Sequence, residues 1–336
     1  MNFYSTLKEL CLCPSVSGRE DKIREKLSGL IAPFCDTVSV DKLGNLIAHK
    51  KGTGEGKRIM LAAHMDEIGF IVTFIEDSGM LRVAPVGGIS TVAAAYAPVV
   101  SENGVRGTVV PEANVKPEEL KTDKLYIDIG AKTKKSAEAK IGIGDFFVVA
   151  PSLTKLGGGR VCGRPLDDRI GCAVLLSIAQ TLASEELADE IYYVFSVQEE
   201  VGCRGALPAA FAIAPDIALC FDVTGTGDVP SASPMACSLG KGAAVKIKDA
   251  SVICDEGIVR ALCDVARDKG IPYQKEVLLY GGTDTSSMQL AGAGAAVGAL
   301  SIPTRYIHSG SETCELSDAQ ACASLAVEFI RSRNIK

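Results

Sequence analysis

Histidine is scarce in this chain of 336 residues, which contains only three. One of them, His64, follows the apolar stretch from Ile59 to Ala63 and stands two residues before Asp66. Residues i and i+2 of a β-strand lie on the same face, so His64 and Asp66 can point into one pocket. A nearby carboxylate often orients the ring of a metal-bound histidine. The pair is equally consistent with a structural role.

Acidic residues also occur at the ends of two other apolar segments and at the start of a predicted helix, and a second histidine follows a further apolar segment. They are Asp167 and Asp168 before a predicted helix, Glu199 and Glu200 after 191–197, Asp222 after 217–221, and His308 shortly after Ile302. An aspartate at a helix start is usually a cap, and a glutamate in a loop is usually solvated. In open α/β sheets, however, ligands bind at the carboxyl ends of the strands. We therefore expect these side chains to gather at one sheet edge. His49 has no acid at a useful spacing and is expected at the surface.

Two histidines and several carboxylates at one edge make a ligand set suited to zinc, cobalt or manganese. The set exceeds what one open zinc site needs. If one aspartate bridges, two metals can each hold three protein ligands. Paired metals of this kind lie roughly 3.5–4 Å apart, and aminopeptidases are among the enzymes that use them. One carboxylate of the Glu199–Glu200 pair would bind metal, and the other would be free to act as a general base.

The elements that must position these residues alternate between strand and helix at both ends of the chain. Predicted helices cover 1–13, 20–33, 170–183, 205–211, 256–269, 284–291 and 317–332, with a hairpin at 37–49 and strands at 58–63, 191–197, 217–221, 243–248, 275–279 and 297–302. Such alternation predicts an α/β fold with a mainly parallel sheet that is flanked by helices.

The middle of the chain has a different pattern. Short apolar runs between residues 68 and 162 are separated by glycine, proline, asparagine and aspartate, which predicts an all-β module with one short helical candidate at 116–121. The lysine-rich stretch 132–140 is expected to be solvated. We therefore predict a discontinuous catalytic domain of residues 1–67 and 163–336, with a β-rich domain of residues 68–162 inserted into it.

Composition and charge exclude several classes of partner. A formal net charge of −6 argues against nucleic-acid or anionic membrane surfaces, which need clustered lysine and arginine. No apolar stretch reaches the ~18 residues of a membrane span, and the start lacks the features of a signal peptide. The predicted location is therefore the cytoplasm. The twelve cysteines are expected to be free thiols with packing roles.

Six short motifs, taken together, resemble the M42 family of metallo-aminopeptidases, the glutamyl-aminopeptidase-like group whose members form tetrahedral particles. The motifs are His64-Met-Asp-Glu-Ile-Gly69, Gly163-Arg-Pro-Leu-Asp-Asp-Arg-Ile-Gly171, Val197-Gln-Glu-Glu-Val-Gly202, Asp222-Val-Thr224, Gly281-Gly-Thr-Asp284 and Arg305-Tyr-Ile-His-Ser309. With the Ser15-Val-Ser-Gly-Arg-Glu20 start, they run from residue 15 to 315 in the family's order. The resemblance thus covers nearly the whole chain.

The resemblance implies a ligand set for two metals. His64 and Asp222 would hold one metal, and Glu200 and His308 would hold the other. Asp167 would bridge the two. The metals would be zinc or cobalt, with manganese as a further candidate.

The resemblance also implies catalytic and substrate-binding roles. Glu199 would be the general base, Asp66 would orient His64, and the Asp167–Asp168 peptide bond would be cis. The substrate pocket would be lined by a loop that contains Gly282, Thr283 and Asp284. A plain strand-to-helix turn explains that loop equally well.

By the same resemblance, the insert would be a PDZ-like β-barrel that drives assembly into homodimers and then dodecamers. The implied activity is removal of the N-terminal residue from peptides with a free N-terminus, through a metal-activated water. Alternatives are a di-metal deacylase or carboxypeptidase, a glycosidase that uses paired carboxylates, and a non-catalytic assembly protein. A substrate with a blocked amino group would distinguish the deacylase or carboxypeptidase from an aminopeptidase. Loss of activity with a chelator would argue against the glycosidase, and missing metal ligands would indicate the assembly protein. The preferred N-terminal residue and the native metal are not determined by the sequence.

Overall fold

A computed structural model describes residues 2–54 and 56–333. Met1, Glu55 and residues 334–336, which belong to the predicted catalytic domain, lie outside the described residues. The helices are α1 (Phe3–Cys11), α2 (Asp21–Ile31), α3 (Thr91–Ala94), α4 (Lys134–Glu138), α5 (Arg169–Leu182), α6 (Ala206–Ile213), α7 (Glu256–Lys269), α8 (Asp284–Gln289) and α9 (Leu316–Arg333). Every predicted helix outside the insert is therefore present.

The strands form one large sheet and one barrel. They are β1 (Thr37–Val40), β2 (Leu46–Lys50), β3 (Arg58–His64), β4 (Gly69–Ile75), β5 (Leu81–Val86), β6 (Pro98–Ser101), β7 (Arg106–Pro111), β8 (Leu125–Asp128), β9 (Phe146–Val149), β10 (Ser152–Lys155), β11 (Arg160–Arg164), β12 (Glu190–Ser196), β13 (Ile217–Thr224), β14 (Ala243–Lys248), β15 (Tyr273–Val277), β16 (Ala296–Arg305) and β17 (Glu312–Glu315). The large sheet has the order β1-β2-β12-β3-β13-β16-β17-β11-β10, and β14 pairs with both β15 and β16.

The large sheet is mixed, so the prediction of a mainly parallel sheet was wrong. Its centre, β12-β3-β13-β16, is parallel, as is the β14–β15 pair. The other pairings are antiparallel. Strands joined without an intervening helix must return antiparallel, and β1–β2, β10–β11 and β16–β17 are all connected in this way. Gly44, at φ 110°, supplies the turn between β1 and β2.

Helices cover both faces of the large sheet. In β3, Ile59, Leu61 and Ala63 face the core that α1, α2, α5, α7 and α9 help to form, whereas Met60 and Ala62 face the core beneath α6 and α8. This alternation is the two-residue period of a strand that is buried on both sides. The central helix α5 packs against α9, α1 and the sheet. The parallel centre is therefore packed between helices on both faces.

The middle of the chain forms a closed antiparallel barrel of six strands in the order β4-β5-β8-β7-β6-β9. It has its own apolar core, which includes Phe70, Val109, Ile127 and Phe147. Closure leaves the barrel without a free sheet edge. The predicted inserted barrel is thus confirmed, but β10, within residues 68–162, pairs with the large sheet. The domain limits at 67/68 and 162/163 stay a prediction.

Two local expectations failed, and one was confirmed. Residues 116–121 contain a 3-10 turn at Pro117–Glu119, followed by a second at Thr122–Lys124, rather than one helix. The lysine-rich stretch 132–140 is mostly exposed, as expected, and it also contains α4, because Thr133 and Ser136 form a capping box at the start of that helix. His49 does not lie free at the surface, since its ring stacks on Tyr192 with centroids 4.3 Å apart.

All twelve cysteines are free, as predicted, and eight of them are buried. Across residues 2–54 and 56–333, none of the helices has the length and apolarity needed to cross a membrane.

Candidate active site

The four central parallel strands deliver polar residues to one edge of the sheet. β3 ends at His64, and Glu199 and Glu200 follow the end of β12. Asp222 lies near the end of β13, and His308 follows β16. In the sheet order, β12 lies on one side of β3 and β13 lies on the other, so the strand order reverses at this point. This edge is therefore a topological switch point, where open α/β sheets bind ligands.

Asp167, in the connection from β11 to α5, lies between the two histidines. Its Oδ1 is 3.0 Å from Nε2 of His64, and its Oδ2 is 3.3 Å from Nε2 of His308. The other contacts extend the cluster on each side. Asp222 Oδ1 lies 3.9 Å from Nε2 of His64, and Glu200 Oε2 lies 3.2 Å from Nε2 of His308. The two oxygens of one carboxylate therefore face two separate halves of the site.

Both histidines direct Nε2 toward the carboxylates because Nδ1 is engaged elsewhere. Nδ1 of His308 donates to the carbonyl of Gly88 at 2.8 Å. Nδ1 of His64 lies 3.2 Å from the carbonyl oxygen of Asp66 and 3.3 Å from its Oδ1. An imidazole whose Nδ1–H is held in this way presents Nε2 to a metal.

A cavity of about 450 Å³ opens above this cluster. The five residues of the predicted ligand set line it, together with Glu199. Gly282 and Thr283, predicted to bind substrate, also line it, whereas Asp284 is buried beneath the wall as the first residue of α8. Asp66 is likewise fully buried behind the cavity. The Asp167–Asp168 peptide bond is cis, as the resemblance implied.

Comparison with known proteins gives a consistent assignment. A family model described as M42 glutamyl aminopeptidase matches residues 44–325. The lysyl aminopeptidase of Pyrococcus furiosus is 35% identical over 339 residues, which cover 96% of this chain and 95% of the relative. The chain belongs to the M42 family of aminopeptidases.

Solved structures of M42 relatives share the whole fold. An aminopeptidase of the archaeon Desulfurococcus kamchatkensis is 36% identical, with a TM-score of 0.94 over 98% of this chain and 94% of that one. The TET1 peptidase of Pyrococcus horikoshii, described as assembling into a tetrahedron or a large octahedral shell, is 34% identical, with a TM-score of 0.87 over 98% and 99%. This M42 protein is therefore a metal-dependent hydrolase of the aminopeptidase class.

The electrostatics of the site fit the metal dependence of M42 aminopeptidases. Burial raises the pKa of Asp222 to about 8, with the charge of Asp167 acting in the same direction. Burial also raises the pKa of Glu199 well above its usual range, as do the charges of Asp222 and Asp284. Carboxylates crowded in this way repel each other, and nearby positive charge relieves the repulsion. In addition, Glu200 Oε1 is buried without a hydrogen-bond partner among the described residues.

The same charges also shift the pKa values of His308 and Asp167. Burial alone would lower the pKa of His308, but the carboxylates of Asp167 and Glu200 raise it to about 11. Burial also opposes ionisation of Asp167, yet hydrogen bonds from His308 and His64 hold its pKa below the usual value. The donor set can therefore hold cations in place of these protons: among the described residues, His64 groups with Asp167 and Glu200, and also with Asp168 and Asp222, with ligand atoms within 4.8 Å of one another.

Asp66 lies behind the cluster and holds several of its members in place through hydrogen bonds. Its Oδ1 accepts a hydrogen bond from the backbone N–H of Glu199 at 3.0 Å, and its Oδ2 accepts from that of Glu200 at 3.2 Å. Ser17 Oγ also donates to Oδ2, at 2.6 Å. One buried carboxylate thus fixes both the glutamate pair and the ring of His64.

Glu312 has a matching role on the other side, and sequence reasoning did not identify it. Its Oε2 accepts from the backbone N–H groups of Leu166 and Asp167 at 2.7 and 3.1 Å. Its Oε1 accepts from the N–H of His308 at 3.1 Å. Arg164 lies 3.6 Å from Oε1. Glu312 therefore fixes the backbone of the central aspartate relative to that of His308.

Two further contacts were also missed. Gly88 reaches the site from the barrel connection between β5 and α3, and the sequence carries no signal for a backbone acceptor. Cys203 was expected to serve packing, but it lines the cavity and its thiol donates to Glu199 Oε1 at 3.2 Å. Its spacing of four residues from Glu199 was the available signal.

The role of Glu312 gives a first testable prediction. In Glu312→Gln, one oxygen acceptor becomes an NH2 group, so the N–H groups on one side lose their partner. Changes in groups that support metal ligands typically weaken metal binding about 10–100-fold. We expect a loss of that size in competition with a chelator. Glu315→Gln is the matched control, because Glu315 pairs with Arg160 instead. Unchanged metal affinity in Glu312→Gln would contradict this role.

Proposed function

We propose that this M42 protein removes the N-terminal residue from peptides with two divalent metal ions per chain. His64 and Asp222 would hold one ion, Glu200 and His308 the other, and Asp167 would bridge them. The observation that carries the proposal is the position of Asp167, with one oxygen toward each histidine. Zinc or cobalt fits the nitrogen and oxygen donors, and manganese is a weaker candidate.

The metals, when bound, supply Lewis-acid chemistry, which polarises the scissile carbonyl and lowers the pKa of water. Glu199 supplies the proton acceptor. Its carboxylate lies at the cavity wall, is left over once the ligands are assigned, and is fixed in place through its backbone N–H to Asp66. We propose that Glu199 takes the proton of the attacking water and later returns it to the leaving amine.

The cavity also suits the first residue of a peptide. Its volume of about 450 Å³ lies within the usual range for small-molecule sites. We propose that Gly282 and Thr283 border the side chain of the substrate's first residue. Asp284 is buried beneath this wall at the start of α8 and would influence the pocket through the position of that helix.

Glu199→Gln tests the proposed chemistry. Glutamine keeps the shape of glutamate but cannot accept the proton, so turnover should fall by about 10²–10⁴-fold with both metals retained. Glu200→Gln is the matched comparison, and it should weaken metal binding itself. Steady-state turnover and metal content are measured on the same preparations. Near-normal turnover of Glu199→Gln with two bound metals would remove Glu199 from the role of general base.

We further propose that the barrel carries contacts between subunits of a homo-oligomer. The TET1 relative can assemble into a tetrahedron or a large octahedral shell. Here, the described part of the barrel contains neither a histidine nor a candidate metal cluster. It does expose large apolar side chains: Phe74, Val92, Tyr96 and Ile143. Val92 and Tyr96, 64% and 73% exposed, flank a groove of about 380 Å³. Exposed apolar patches of this kind often mark interfaces.

Light scattering tests the assembly. We expect a particle near twelve subunits, and we expect Val92→Asp combined with Tyr96→Asp to reduce its mass, because buried charge disrupts an apolar interface. Phe211→Asp, at an exposed apolar position on α6, is the control and should leave the mass unchanged. Fully active monomers of the unmodified chain would rule out the proposal.

A further inference from the structure

A second cluster of ligand-type side chains lies beside the proposed two-metal centre. Glu199, Cys203 and Asp284 each offer an atom within 4.8 Å of those of the other two. None of the five proposed ligands belongs to this cluster. It is also the cluster that contains sulfur, whereas the proposed metal ligands are all nitrogen or oxygen donors.

Asp284 gives the independent sign of a missing ligand. Its side chain is 1% exposed, and Oδ1 has no hydrogen-bond partner among the described residues. The other oxygen, Oδ2, accepts a hydrogen bond from Ser196 Oγ. A buried carboxylate oxygen without a partner is costly. A cation bound next to Glu199 and Cys203 would satisfy it.

The three side chains are held on a common frame. The backbone N–H of Cys203 donates to the carbonyl of Glu199 at 2.8 Å. Ser287 Oγ, on α8, donates to the carbonyl of Cys203 at 3.0 Å. Since α8 begins at Asp284, the loop that carries the thiol is tied to the helix that carries the carboxylate. Such support from surrounding groups fixes ligand geometry. Glu199 and Cys203 line the cavity, so an ion can enter from solvent.

We infer that Glu199, Cys203 and Asp284 form a third, inhibitory cation site for a thiophilic divalent ion such as cadmium or zinc. Thiolate selects soft ions, and three protein ligands with an open position suit tetrahedral coordination. The Cys203 thiol loses its proton to solvent as the sulfur–metal bond forms. Inhibition follows because the ion occupies the carboxylate that would accept the water's proton. This inhibitory effect rests on the proposed role of Glu199, whereas binding of the ion does not.

Cadmium titration of the enzyme prepared with two zinc ions per chain tests the site. Sulfur-to-cadmium charge-transfer absorption reports thiolate binding, and analysis of released zinc reports displacement from the metal centre. We expect one cadmium–thiolate per chain without zinc release, and turnover that falls in parallel. Cys203→Ser should remove this absorption and require at least about tenfold more cadmium for inhibition. Asp284→Asn, which keeps the thiol, should weaken cadmium binding similarly. Cys35→Ser is the control for a half-buried thiol outside the cavity.

The outcomes separate the alternatives. Charge-transfer absorption that persists unchanged in Cys203→Ser, or cadmium uptake only with release of zinc, would overturn the site. Cadmium bound through Cys203 and Asp284 with undiminished turnover would overturn the inhibition and, with it, Glu199 as the base. Unfolding temperatures of the variants identify any that fail to fold, and either Cys203→Ser or Asp284→Asn alone decides the binding question.

Discussion

The mutual repulsion of buried carboxylates is the constraint on which this structure depends. Asp167, Glu199, Glu200 and Asp222 are brought to one cavity, where burial deprives them of the hydration that stabilises their charge. Two histidines cannot neutralise four such groups. The site is therefore built for added positive charge, and its architecture holds the carboxylates in place against their repulsion. Divalent cations between them would turn that repulsion into binding affinity.

Hydrogen bonds to the backbone hold the carboxylates in place against this repulsion. Asp66 fixes the N–H groups of Glu199 and Glu200, while Glu312 fixes those of Asp167 and His308. Both supports are fully buried acids at the ends of strands in the rigid sheet. The connection from the barrel reaches this network at Gly88, whose carbonyl orients His308. This hydrogen bond is therefore one link between the sheet, which carries the chemistry, and the barrel, which is proposed to carry the assembly.

The sequence predicted the ligand cluster because each of its members follows a strand or precedes a helix, and parallel strands must end at one edge. It predicted the hairpin at 37–49, which is β1–β2, but not that this hairpin and the strands β10, β11 and β17 extend the sheet in antiparallel pairings, because the partner of a strand is not visible in its local pattern. Glu312 and Gly88 were missed because they act through backbone groups, which have no sequence signature, and because the partners Leu166 and Asp167 of Glu312 and the partner His308 of Gly88 are far away in the chain. Asp284 was predicted as a pocket residue, but it lies under the wall of the cavity. The sequence could not show this, because a strand-to-helix turn has the same pattern whether its acidic residue faces the cavity or the protein interior.

The most direct test of the account is the metal content of an Asp167→Asn protein, with two equivalents of metal per chain expected in the unmodified enzyme. Asparagine offers one oxygen and no charge, so it cannot serve both halves of the site. The account predicts that most metal is lost from both positions, as measured by elemental analysis after dialysis. Asp255→Asn, which keeps a good helix N-cap on α7, should retain both equivalents. Two full equivalents in Asp167→Asn would show that Asp167 is not the bridge.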